Sequence, residues 1–254
     1  MKISMLVTAI SLAVFLQSVF ARVSVADELF RFLDEQSMEL EGAPAITLLW
    51  TDDERQMVDR YFAKLDAAAP QLVTLLNKGA ALGPINVVRV AKSKRSIGYA
   101  KQRARGEETY LVLSDMFFQA YDADSPQIGI DGGNYTYWFF VHEMVHLGEF
   151  RTTLDVSKAI PSRDQSGAIF IAFNSRITAA KSTLQAQGVP FGKYVFEGDL
   201  TNAAPIHDQG LPTKYCLFSV QEALAETVTA TILAPNFHPP ADIQGAISAF
   251  FARR

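Results

Sequence analysis

Residues 138 to 150 read WFFVHEMVHLGEF and place two of the chain's four histidines, His142 and His146, one helical turn apart with Glu143 between them. HExxH at helical spacing puts both imidazoles on one face of a helix, where they can bind a single Zn²⁺. Glu143 then lies beside the metal, placed to take a proton from a bound water. The chemistry this predicts is metal-assisted hydrolysis. Trp138, Phe139, Phe140, Val141, Val145 and Leu147 surround the motif with apolar surface, and a helix that is apolar all round is a buried one. The bland alternative is two core histidines bonded to backbone carbonyls and a surface glutamate.

A catalytic zinc has three protein ligands and one open position, so a third donor must come from elsewhere in the chain. The HExxHxxGxxH continuation is absent, because Glu149 and Thr152 stand where it requires Gly and His. Glu149 shares a face with His146 and reads as a salt-bridge or supporting acid rather than a ligand. His207 and His238 remain candidate donors, but both fall in Pro-rich or polar loops without a helix to fix their geometry. A better source is YCLFSVQEALAETVTA, residues 215 to 230, where Glu222 and Glu226 share one face of an otherwise Ala- and Leu-rich turn. Two acids on an apolar helix need a cation or strong donors. Ser219 and Glu222 also fit a capping box, a role that leaves Glu226 unexplained.

HEMVH followed by EALAE on a later helix resembles the gluzincin metallopeptidases, in the pattern of the anthrax lethal factor catalytic domain and related secreted bacterial peptidases. The resemblance covers about 30 residues in two pieces, together with the small sheet that precedes the first. It implies a zincin-like fold of the α+β class, with a small mixed sheet that binds extended substrate, a buried HExxH helix and a second ligand-bearing helix. Glu222 is then the third zinc ligand after His142 and His146, and Glu226 supports one of the zinc-bound histidines. Tyr215, seven residues before Glu222, stands where the family has a tyrosine that stabilises the oxyanion. The stretch between His146 and Glu222 is longer than these families usually have, which suits a lid or a specificity element.

The elements that must position these residues can be traced along the chain. From Asp27 to Leu40 apolar and charged residues recur at helical spacing. A second helix opens at TDDE, where Thr51 and Glu54 form a capping box, and a third runs from Pro70 until Gly79 closes it. INVVRVAK, SIGYAK and ETYLVLSD read as strands, DMFFQAY as a helical turn, and DGGN as the loop that caps the HExxH helix at Asn134. Residues 151 to 214 give one helix, Ser175 to Gln187, among Pro and Gly turns. Helices over Ser219 to Leu233 and over DIQGAISAFF complete an α+β order.

The whole chain, 254 residues with about half of them hydrophobic, suits one domain over residues 27–254. With 23 basic against 27 acidic residues it lacks the basic excess of a nucleic-acid binder. Lys2, the apolar run after it and the small residues of SVA predict a secretory signal peptide over residues 1–26, cleaved after Ala26 or else after Ala21, the alternative being an uncleaved membrane anchor. The mature form is then secreted or periplasmic, with no membrane segment. A lone cysteine, Cys216, excludes a disulfide-stapled scaffold. The expected activity is zinc-dependent hydrolysis of a peptide or protein substrate. The alternative is a secreted zinc-binding or toxin-like interaction protein whose metal site is structural or inactive.

Overall fold

The structure, a computed structural model, describes residues 28–34, 37–40, 43–78, 82–91, 98–102, 108–119, 135–152, 165–189 and 204–252. The expected signal peptide, Gly79 and the DGGN loop with Asn134 lie outside these residues.

The fold is α+β, mostly helical, with a four-stranded mixed sheet. Strands β1 (Phe30–Leu33), β4 (Ile85–Val90) and β6 (Thr109–Ser114) run parallel, and β5 (Gly98–Gln102) joins β6 antiparallel at the edge, giving the order β1-β4-β6-β5. A separate hairpin pairs β2 (Ser37–Leu40) with β3 (Ala43–Ile46). The β-branched or aromatic runs expected to be strands are β4, β5 and β6.

The first expected helix is not one. Phe30–Leu33 and Ser37–Leu40 are the strands β1 and β2, and in β1 Phe30 and Phe32 alternate with Arg31 at the period of a strand. Phe30 packs edge-on against Phe62 and Phe32 against Trp50, at ring separations of 5.0 and 4.9 Å, while Arg31 Nε donates to Asn86 Oδ1 on β4. Tertiary pairing with β4 overrides the helical spacing of the charges.

Helix α1 (Asp52–Ala68) starts at the expected capping box, in which Thr51 accepts from the Glu54 amide and the Glu54 carboxylate accepts from the Thr51 amide. Helix α2 (Pro70–Lys78) follows directly, and the turn α3 (Asp115–Gln119) continues β6. Helix α4 (Tyr135–Arg151) carries HExxH and packs against α2, β5 and β6. Its Trp138, Phe140, Val141, Met144, Val145 and Leu147 are all buried, as an all-round apolar surface demands. At its end Arg151 is buried too, donating to the carbonyls of Leu76 and Gly83 and to Thr109 Oγ1, so that the helix is tied to the end of α2 and the start of β6.

Helix α5 (Gln165–Ala186) begins ten residues before the predicted Ser175, since its first turns, GAIFIAF, lack the polar face that marks a surface helix. After the short α6 (Ala204–His207), a 3₁₀ turn over Lys214–Leu217 leads into α7 (Val220–Leu233), which packs along α4. Helix α8 (Ala241–Phe251) closes the fold on α5, where the Arg176 guanidinium grips both Asp242 carboxylate oxygens. Among the described residues, no helix is long and apolar enough to cross a membrane.

Candidate metal centre

Helices α4 and α7 lie side by side, and each presents two functional groups one turn apart. On α4 these are His142 and His146, and on α7 they are Glu222 and Glu226. Ser219 caps α7 by accepting from the Glu222 amide. The Glu222 carboxylate does not complete the capping box. It is turned to the histidines, with Oε2 3.0 Å from His142 Nε2 and 3.3 Å from His146 Nε2.

The two Nε2 atoms are themselves 3.0 Å apart. Three acceptor-type atoms therefore face one point. A tetrahedral ion with ligands at about 2.0–2.1 Å separates its donor atoms by roughly 3.3 Å, so the triangle has close to the required size. His142, His146 and Glu222 form a group that could hold a metal ion, and among the described residues this group has those three members. His207 and His238 are exposed and stand outside it.

What surrounds the triangle sets its tautomers. Glu226 Oε1 is 2.7 Å from His142 Nδ1 and also accepts from the Trp138 indole at 3.2 Å. Its other oxygen accepts from the Thr213 hydroxyl at 2.6 Å. A carboxylate so placed keeps the proton on Nδ1 and turns the Nε2 lone pair inward. Trp138 and Thr213 escaped the sequence reading, although Trp138 sits one turn before His142 and so faces the same way.

Burial alone lowers the pKa of His142, but Glu222 and Glu226 overcome it and lift the imidazole to about 10. His146 follows the same balance, lowered by burial and raised by Glu149 and Glu222 to about 9. Burial raises Glu222, yet its contacts with the two imidazoles hold it down at about 2. Positive charge is thus favoured at the centre of the triangle, and with 3.0 Å between the two Nε2 atoms there is room for one proton there, or for a cation in its place.

Glu143 reaches edge strand β5, where the Ala100 amide donates to its Oε2 at 2.6 Å. Its carboxyl is raised above the ordinary range, chiefly by burial, with the two imidazoles and the Ala100 amide pulling against that. This backbone contact has no side-chain signature and could not be read from sequence. Tyr215 lies in the 3₁₀ turn, which Thr213 caps by accepting from the Tyr215 amide. Its ring stands edge-on to His142 with centroids 5.6 Å apart. Burial raises its hydroxyl pKa, and Glu222, Glu143 and Glu226 raise it further, so the group stays protonated as a donor.

No family model, no curated protein and no solved structure matches this chain.

Proposed function

We propose that this protein is a zinc-dependent peptidase with a zincin-like fold of the gluzincin kind, exported by a cleaved signal peptide and acting on peptide or protein substrates. The observation that carries the reading is the meeting of His142 Nε2, His146 Nε2 and Glu222 Oε2 at one point, with Glu143 held beside it. Zinc prefers nitrogen and carboxylate donors in this number, and three of them leave the fourth position open. Zinc held there supplies Lewis acidity, polarising a carbonyl and lowering the pKa of a water towards about 7.

The protein groups do the rest. Glu143 takes the water proton and passes it to the leaving amine, and burial raises its pKa above that of an exposed carboxylate. The Ala100 amide fixes one of its oxygens and thereby the direction of the carboxylate. Tyr215 donates its hydroxyl to the oxyanion of the tetrahedral state, a contact of a kind worth about 3 kcal/mol. Glu226, with Trp138 and Thr213, holds the ring of His142 in place.

The test is paired substitution. Glu143→Ala keeps zinc and loses hydrolysis of a mixed peptide library, whereas His146→Ala loses both. A fully active Glu143→Ala protein overturns the proposal.

A further inference from the structure

The two histidines of the triangle are not held alike by the groups named so far. His142 has Glu226 behind it. Behind His146 stands Glu149, three residues on in the same helix, with only 1% of its surface exposed. Its Oε2 is 3.8 Å from His146 Nδ1 and has no hydrogen-bond partner, while its Oε1 accepts from Gln221 Nε2 at 3.3 Å. A buried carboxylate is costly unless a cation or a set of donors answers it. One amide donor answers half of it. The remaining oxygen faces Nδ1 of His146, the nitrogen of that ring that the triangle does not use.

We propose that Glu149, steadied by Gln221, is the positioning residue for His146, as Glu226 is for His142, so that each zinc-bound imidazole would have its own carboxylate. The inference rests on the zinc reading above. Gln221 adjoins Glu222 in sequence, so the turn of α7 that delivers the third ligand also delivers the donor that orients Glu149. A cation at the triangle draws electron density from the imidazole and makes its Nδ1 proton more strongly attracted to the carboxylate behind it. Phe150 lies parallel to the His146 ring with centroids 6.4 Å apart and limits how the ring can tilt. The carboxylate then fixes its rotation within its own plane.

Zinc affinity, measured by competition with a chromophoric chelator, tests this apart from any activity. Glu149→Gln, which keeps shape and removes charge, weakens zinc binding by about 10- to 100-fold. Circular dichroism of the metal-free variant at the assay temperature shows that it is folded, so that the affinity reports on the site. The visible spectrum of the Co²⁺-substituted variant shifts from wild type, as a merely structural role would not require. Glu149→Asp recovers part of the affinity. Gln221→Ala, at a half-exposed position, weakens zinc in the same direction and keeps the test open should Glu149→Gln fail to fold. Wild-type affinity and spectrum in Glu149→Gln, or wild-type affinity in Gln221→Ala where the first variant does not fold, overturn the assignment. A wild-type protein that binds no zinc instead defeats the peptidase reading, so the two failures are distinct.

Discussion

Glu226 Oε1 stands 2.7 Å from His142 Nδ1, and Glu222 Oε2 stands 3.0 Å from Nε2 of the same ring. One helix, α7, thus grips one imidazole of α4 at both of its nitrogens. The consequence is a division of labour between two glutamates one turn apart: one faces the centre of the triangle and the other sets the tautomer. Glu222→Ala is expected to abolish zinc binding, and Glu226→Ala to weaken it by about 10- to 100-fold. Chelator competition on both variants checks this. Loss of zinc in Glu226→Ala alone would place the ligand one turn too early.

Proton and cation compete for the same triangle. In the metal-free protein the imidazoles, lowered by burial but raised more by Glu222, Glu226 and Glu149, titrate at about 10 and about 9. An unfolded histidine titrates near about 6.5. A folded pKa above the unfolded one contributes stability that is fully present below about 6.5 and is lost as pH rises through 9 to 10. The melting temperature of metal-free protein should therefore fall between pH 7 and 10. Zinc affinity should rise over the same range, by about tenfold per pH unit for each proton displaced. Glu222, held at about 2 by the imidazoles against the upward pull of burial, runs the other way, its contribution being lost as pH drops from about 4.5 through 2. A melting temperature flat from pH 7 to 10 would contradict this account of the site.

Gly98 is where β5 is clamped. A Cβ there would lie 2.3 Å from the Val112 carbonyl oxygen and 3.1 Å from the Phe139 ring, so no side chain fits without moving the strand. Since β5 carries the Ala100 amide that holds Glu143, Gly98→Ala should destabilise by about 1–3 kcal/mol in urea unfolding. It should also lower peptide hydrolysis while the purified protein keeps its zinc. Equal loss of zinc and activity would show that β5 acts on the ligands rather than on Glu143.

Arg151 anchors the C-terminal end of α4, just past the site residues. Replacing it by Met leaves the Leu76 and Gly83 carbonyls and Thr109 Oγ1 without the donor they share. The expected cost is about 3–5 kcal/mol by urea denaturation, with zinc stoichiometry retained in the folded fraction. A change below about 1 kcal/mol would mean that other groups satisfy these acceptors.

The legible parts of this molecule are those with a strict period or a cap. HExxH on an all-apolar helix, ExxxE after a Ser cap, the Thr51–Glu54 box and the β-branched or aromatic runs of β4 to β6 each combine residue type with spacing, and each becomes the expected element. The segment FRFL misleads because four residues fit a strand and a helix alike, and only pairing with β4 decides. The start of α5 is hidden because a helix without a polar face carries no phase. In the site, Glu226 against Glu222 could be posed from spacing, but the half-empty capping box at Ser219 needed coordinates. The Ala100 contact with Glu143 and the Thr213 contact with Glu226 depend on backbone placement and on a 3₁₀ turn, neither of which leaves a periodic trace.

The central claim is that His142, His146 and Glu222 together hold one zinc ion. Elemental analysis of protein purified without added metal, wild type beside Glu222→Ala, tests it most directly. The account predicts about one zinc per wild-type chain and none in the variant, whose fold circular dichroism shows to be intact. A wild-type protein without zinc, or a Glu222→Ala protein that retains a full equivalent, would contradict it.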